Sequence, residues 1–251
     1  MALQEEFEQQ GVFMFRYRST LPLVFLLSGL LVFVYTLLYS TGFERVLPYN
    51  IYEIISIGVS FLGLLIRIFT VGYTPANTSG RNTTEQVADK LNTSGIYSTV
   101  RHPLYVGNFF MWLGPAMLTQ NLWYIAAFVL AYWLYYERIM YAEEAFLRKK
   151  FGDTYIKWSE KTPAFILSFK NFTKPNIWFS WKKVLKKEKN GFTAIFVTFF
   201  LFRMIKDYIE NKSLYNSIHS WLFYATLASI VIYFILKYLK KYTKVFDEKG
   251  R

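Results

Sequence analysis

Apolar positions along this chain gather into long blocks separated by short polar ones. The first block, Leu21 to Tyr39, reads "LPLVFLLSGLLVFVYTLLY" almost without interruption. About 20 helical residues cross a hydrocarbon core of roughly 30 Å, so the block predicts a transmembrane helix. A second block, Ile51 to Tyr73, is broken only by Glu53 near its start and Arg67 near its end, positions from which charge can snorkel to the interface. The Asn-, Thr-, Ser- and Gly-rich stretch from Thr74 to Ser94 then predicts a loop. A third block, Leu104 to Thr119, is short and holds Gly107, Gly114 and Pro115, which predicts a tilted or kinked helix. The turn "TQN" at 119–121 leads into a fourth block, Leu122 to Tyr136, closing a tight helical hairpin.

From Glu137 to Lys150 the apolar pattern gives way to charges at helical spacing. The fourth helix is therefore predicted to continue from the membrane into water and to stop at Phe151-Gly152, glycine being the usual residue past a helix end. The segment "NIWFSWKKVLKKEKN", Asn176 to Asn190, sets Trp178 and Trp181 beside lysines 182, 183, 186, 187 and 189, which predicts an interfacial helix on an anionic leaflet. Two further blocks, Gly191 to Ile209 and Ile218 to Leu239, precede a basic tail. The expected fold is all-α, a polytopic integral membrane protein with six transmembrane helices and a cytoplasmic helical extension after the fourth. Its parts are an N-terminal segment with the first span (1–50), a core (51–165), a basic interfacial linker (166–190) and a C-terminal pair of spans with the tail (191–251).

Composition supports the membrane reading, with 53% hydrophobic and 21% aromatic residues over 251 positions and a mean hydropathy of +0.20. The absence of cysteine excludes disulfides and cysteine chemistry, and two histidines, His102 and His219, do not make a His-rich metal site. In so apolar a chain the net charge of +12 points to loops on an anionic membrane surface, not to nucleic acid. Glu5, Glu6 and Glu8 precede any apolar run, the wrong start for a cleaved signal peptide, so the first block is expected to be retained. Lysines and arginines decide orientation: 23 fall in segments 1–20, 74–103, 142–190 and 237–251, against only Arg45 and Lys212 in the alternate loops. Both ends are then inside, and so are the two charged clusters that flank the hairpin, Arg101-His102 and Glu137 to Glu144. Five NxS/T sequons, at Asn77, Asn82, Asn92, Asn171 and Asn211, are read as compositional, because four lie in segments placed inside.

The candidate chemistry sits at the ends of that hairpin. Arg101-His102-Pro103 opens the third helix, where Pro is favoured in the first turn. A basic pair at the positive end of a helix dipole calls for an anion such as a carboxylate or phosphate. Gly107, one turn on, permits close approach by a ligand or by another helix. On the fourth helix Glu137, Tyr141 and Glu144 share a face, beside Glu143. Acidic and basic groups brought together across the hairpin suit a zwitterion. Neither GxGxxG nor GxxxxGK[ST] occurs, so Rossmann and P-loop sites are not supported.

"SGIYSTVRHPLYVG" (94–107) and "EEAFLRKKFGDTYIKW" (143–158) resemble the isoprenylcysteine carboxyl methyltransferases and the related phospholipid methyltransferases, over roughly residues 50 to 165. That resemblance implies S-adenosylmethionine bound by His102, Pro103, Tyr105, Gly107, Glu143 and Glu144. It implies that Arg101 faces the acceptor's anionic group and that Glu144 anchors the cofactor or orders the arginines, which makes Arg101 and Glu144 the catalytic candidates. The family's arginine ahead of the EE pair is replaced by Ile139, with Arg138 beside it as the substrate-binding candidate. The reaction implied is methyl transfer to a carboxylate or phosphate oxygen of a lipid or lipidated acceptor, with phospholipid amine N-methylation as the alternative. From another class, a transport or scaffold protein would use Arg67, Arg203 and Lys206. A bias of 19 Lys to 10 Arg with abundant Asn, Phe and Tyr points to an AT-rich bacterial genome, and so to the inner membrane. The loop "TPANTSGRNTTEQVADKLNTSG" is also similar to members acting on the lipid A 1-phosphate. For the last two spans two roles stay open, a lipid-facing cover and a homodimer surface.

Overall fold

The structure, a computed structural model, describes residues 2–39, 48–75, 88–248 and 250. Among these it is helical, without strands. The order is α1 (Leu3–Tyr17), α2 (Leu21–Tyr39), α3 (Tyr49–Gly72), a 3₁₀ turn (Gly95–Ser98), α4 (Pro103–Leu118), α5 (Leu122–Phe151), α6 (Asp153–Ser159), α7 (Trp181–Asn211), α8 (Tyr215–Ile218) and α9 (Trp221–Tyr242).

The predicted hairpin is present and its turn has a local cause. Gln120 takes a positive φ of 51°, and the Asn121 side chain accepts from Tyr124 N at 2.9 Å, capping α5. α5 runs unbroken through the charged stretch to Phe151, where Gly152 adopts φ 50° and ψ −130°, a conformation for glycine. α3 and α4 approach backbone to backbone. A Cβ at Gly63 would overlap Gly107 O, and one at Gly114 would overlap Ser60 Oγ, so small residues set the spacing of this helix pair.

Two apolar clusters hold the bundle. Phe33, Leu64, Leu118, Phe199, Phe202 and Leu222 join α2, α3, α4, α7 and α9. Phe128, Tyr132, Tyr136 and Ile139 of α5 pack with Phe15 of α1 and Ala116 of α4, the Tyr132 and Tyr136 rings stacking at 4.3 Å. Among the described residues three helices, α2, α3 and α9, are long and apolar enough to cross a membrane. Their outward leucines and isoleucines, Leu31 for example at 73% exposure, have no protein cover and call for lipid.

Two expectations need correction. The N-terminal segment was assigned no element, yet it forms α1, whose Gly11 lies against Arg138 O on α5 and whose Met14 O accepts from Tyr135 Oη at 2.8 Å. The interfacial helix and fifth span are one continuous helix, α7, which begins only at Trp181. Glycine costs a helix only about 1 kcal/mol against alanine, and the bare Cα of Gly191 lets α7 close on Met111, whose Cε would be 3.0 Å from a Cβ there. The cations within the helices have carboxylate partners, Arg67 with Glu188 of α7, Arg203 with Glu53 of α3 at 2.6 Å and Lys206 with Glu210 of its own helix at 2.8 Å. Of the sequons, Asn77 and Asn82 lie outside the described residues, as does most of the 74–94 loop.

Candidate active site

His102 occupies the cap position of α4 with Pro103 in the first turn. The stretch before it is held by the extended strap that follows α6. Arg101 N donates to Pro163 O at 2.9 Å, His102 N to Ala164 O at 3.2 Å, and Ser168 N to Thr99 O at 3.0 Å. α6 adds two ties, Trp158 Nε1 to Tyr97 O and Arg101 Nη1 to Ser159 O, both 3.1 Å. The backbone hydrogen-bonding groups of this loop are thus satisfied by the chain just past the second motif, which fixes one motif against the other.

The side chains meet at the extension of α5. Glu144 Oε1 lies 2.9 Å from His102 Nε2 and 3.0 Å from Arg101 Nε. Glu143 Oε1 accepts from Tyr105 Oη at 2.6 Å, and its Oε2 is 3.5 Å from His102 Nδ1. Tyr105 is steadied in turn by Tyr132, whose hydroxyl donates to its carbonyl at 2.8 Å. Both ring nitrogens of His102 therefore face carboxylates, an arrangement that the imidazolium, with two donors, satisfies best.

The electrostatics follow. Burial pulls the His102 pKa down, but hydrogen bonds to Glu143 and Glu144 and their charges outweigh it and hold it above the ordinary value. Burial pushes Glu144 up, yet His102 and Arg101 more than offset this and hold its carboxyl below the usual range. Tyr155 is pushed up by burial and by Glu144, and Tyr97 by burial and by Glu143. Two cations and two anions in one half-buried cluster make a site that is balanced in charge and polarised across its width.

Arg101, His102, Tyr105, Glu143 and Glu144 are brought together, and Pro103 starts the helix beneath them. Two expected residues stand elsewhere. Gly107 faces α3, where a Cβ would meet Arg67 Cγ at 2.5 Å. Arg138 lies on the α1 side of α5, its guanidinium 3.6 Å over the Phe7 ring and its Nε 3.3 Å from Gln10 Oε1. The sequence reading missed Tyr97, Tyr155 and Trp158 although all three lie inside the quoted motifs. Their signal was aromatic placement near the charges, and aromatics are common throughout this chain. Glu137 keeps to the surface, paired with Arg138 at 3.3 Å. Among the described residues no group of His, Asp and Glu could hold a metal.

Fold and site together define an all-helical integral membrane protein with a charged cluster at one end of a helical hairpin. Residues 56–154 match the family model described as phospholipid methyltransferase. The chain is 34% identical over 123 residues to a protein-S-isoprenylcysteine O-methyltransferase from Schizosaccharomyces pombe, covering 46% of this chain and 50% of that one. It is 37% identical over 73 residues to a protein of the same name from Xenopus laevis (29% and 25% covered), and 40% identical over 75 residues to the cobalt-zinc-cadmium resistance protein CzcN of Cupriavidus metallidurans (30% and 34% covered). The chain spans half or less of the length of these three relatives. No solved structure matches it significantly. The resemblance to the isoprenylcysteine and phospholipid methyltransferases, read from the two motifs, stands for the segment that carries them.

Proposed function

We propose that the protein is a membrane methyltransferase that uses S-adenosylmethionine to methylate an acidic oxygen, carboxylate or phosphate, on a lipid or lipidated acceptor. The observation that carries this reading is the meeting of His102 and Tyr105 from one motif with Glu143 and Glu144 from the other. Six spans, with both termini and the cluster on the cytoplasmic side of a bacterial inner membrane, complete the proposal.

The donor set fits the cofactor. Its methionine part carries an ammonium, for which Glu143 and Glu144 are the acceptors, and a carboxylate, for which His102 is the donor. Tyr97, Tyr105 and Trp158 supply aromatic faces beside the cluster. When bound, S-adenosylmethionine supplies a methyl group on a sulfonium, whose C–S bond is exchanged for a C–O bond by in-line displacement. The protein's share is positioning and exclusion of water, since an acidic oxygen arrives already ionised and needs no general base. Arg101, fixed by Glu144 and the Ser159 carbonyl, is the cation nearest the cluster for the acceptor's anion. Arg138 is a second acceptor contact only for a headgroup that reaches α1.

The matched family's description favours one alternative, methylation of a phospholipid amine. An amine must lose a proton, and Glu144, held ionised by two cations, is a weak acceptor for it. Calorimetry on detergent-solubilised protein tests the reading. Binding of S-adenosylmethionine that is lost in His102→Ala and Glu144→Ala is expected, and no binding by the parent protein would overturn it. Lipid mass spectrometry of cells with and without the gene then identifies the acceptor by its added methyl, lipid A 1-phosphate among the candidates.

A further inference from the structure

The strap that follows α6, residues 160–180, runs antiparallel to the loop that carries the first motif. Gly95 N donates to Thr173 O at 2.9 Å and Thr173 N to Ser98 Oγ at 3.0 Å, and the bonds of Ser168 to Thr99, Arg101 to Pro163 and His102 to Ala164 continue the pairing toward α4. Pro175 closes on Gly95, where a Cβ would lie 3.1 Å from its Cγ. The amides of Arg101 and His102, the two residues whose side chains meet Glu144, are therefore satisfied by the strap.

Both ends of the strap are seated where helices leave the apolar zone. Phe165 packs edge-on against Phe109 of α4 and Trp133 of α5, with centroids 5.9 Å and 4.6 Å away. At the other end the Phe179 ring fills the space that a Cβ at Gly72 would take, and Ser180 N donates to Gly72 O at 2.9 Å. Gly72 is the last residue of α3, a helix long and apolar enough to cross a membrane. Between these anchors the strap turns apolar side chains outward, Ile166 at 73% exposure, Phe169 at 71% and Trp178 at 91%. Exposed lysines, Lys170, Lys174 and Lys182, stand among and beside them, and no acidic residue occurs between Lys161 and Lys187. Apolar and aromatic groups interleaved with lysines suit the headgroup boundary of an anionic leaflet, where rings enter the acyl edge and ammonium groups meet phosphates. The end of a membrane span lies at that boundary, so the leaflet is the partner within reach.

We propose that the strap docks on the anionic surface of the bilayer and that docking holds the active-site loop in place. The lipid surface then acts on the site from outside it, through the backbone bonds to residues 95–102. A surface that binds the strap in its bonded arrangement lowers the population of the opened one by mass action. The inference goes beyond the proposed reaction and does not depend on it, because the order of the loop is read without a cofactor.

Amide hydrogen exchange on the full chain in nanodiscs tests it, for the parent protein, Lys170→Gln/Lys174→Gln and Phe169→Ser. Discs of phosphatidylcholine alone are compared with discs containing about one quarter phosphatidylglycerol. In the parent, exchange over residues 95–102 is expected to slow by about threefold or more in the anionic discs, while the α3–α4 contact around Gly63 exchanges alike in both. The double lysine variant is expected to lose this dependence on lipid charge, and Phe169→Ser to exchange faster at 95–102 in both kinds of disc. Equal exchange of the parent in the two lipids, slowing spread evenly over the chain, or a lipid dependence undiminished in the double lysine variant overturns the inference. Should that variant fail to fold, Phe169→Cys carrying a spin label decides. Greater collision with oxygen dissolved in lipid than with an aqueous nickel chelate supports docking, and the reverse overturns it. A parent protein that shows the exchange pattern yet binds no S-adenosylmethionine overturns the proposed reaction and leaves the docking surface standing.

Discussion

His102 Nε2 and Glu144 Oε1 lie 2.9 Å apart although 42 residues separate them, with Arg101 Nε on the same oxygen at 3.0 Å. The contact exists because α4 and α5 are antiparallel and α5 outruns α4, carrying its glutamates back past the start of the hairpin. Removing one partner of so enclosed a cluster leaves the other charge unmatched, at a cost of about 1–3 kcal/mol for a half-buried pair. Glu144→Ala is expected to lower the melting temperature in detergent as well as to remove cofactor binding, whereas Tyr105→Phe, which takes one hydrogen bond from Glu143, is expected to weaken binding with a smaller change in melting.

The same pair gives a dependence on pH. His102 is raised above its ordinary value of 6.5, so its contribution to stability is complete below pH 6.5 and is lost as pH rises through the higher folded-state value. Glu144 is lowered from its ordinary 4.5, so its contribution is complete above pH 4.5 and is lost as pH falls through the lower folded-state value. The stabilising pair is therefore whole between about pH 4.5 and 6.5. Thermal melts of the parent and of His102→Gln across pH 4 to 9, roughly, should differ most inside that window and converge on the alkaline side. A difference that grows with alkaline pH would contradict the assignment.

The hairpin was legible in the sequence because its signals are local and redundant. "TQN" between two apolar blocks, Pro103 at one end and Phe151-Gly152 at the other each carry their own reason for a turn or a stop, and α2 was bounded at Leu21 and Tyr39 as the structure has it. The meeting of the two charged clusters followed from the hairpin alone. What did not follow was anything set by long-range pairing. Glu188 reads as one more charge in a lysine-rich surface until Arg67, 121 positions away, is seen against it. α1 carries too many glutamates and glutamines to look like a span, and its apolar stripe has a purpose only against α5. Gly107 could serve a ligand or a helix, and only the position of Arg67 shows that a helix contact is made there.

That contact is testable. A methyl group at Gly107 would lie 2.5 Å from Arg67 Cγ, on a side chain whose tip is pinned by Glu188 and Asn108 and cannot swing aside. Gly107→Ala is expected to cost about 1–3 kcal/mol by overpacking, read as a fall in melting temperature. The loss should grow with side-chain size, Gly107→Val exceeding Gly107→Ala, whereas removing Arg67 is no rescue because it strands the enclosed Glu188 carboxylate. A Gly107→Ala protein with unchanged melting would show that α3 and α4 separate freely.

The Arg203–Glu53 pair tests the transport alternative. Glu53 is 1% exposed, and its partner sits on α7 near Lys206, Asp207 and Glu210. A buried pair broken on one side costs about 3–5 kcal/mol, while replacing both by apolar groups is near neutral. Arg203→Leu should lower the melting temperature, and Glu53→Leu/Arg203→Leu should restore most of it, with S-adenosylmethionine binding retained in the double variant. Loss of a cellular flux in the double variant despite restored melting would instead favour a pathway role for these charges.

Orientation is open to a direct measurement because the chain has no cysteine, so any introduced thiol is the sole reactive one. The lysine and arginine distribution predicts that the α5 extension and the strap lie inside and the α7–α8 connection outside. Ser159 lies beside the cluster, and Lys212, exposed, closes α7 with φ 53°. In intact cells with a permeable outer layer, a membrane-impermeant maleimide should label Lys212→Cys at once, and Lys161→Cys, two residues past Ser159, only after the inner membrane is opened. The reverse pattern would put the charged cluster on the side where no cytoplasmic methyl donor reaches it, and the proposed reaction would fail with it.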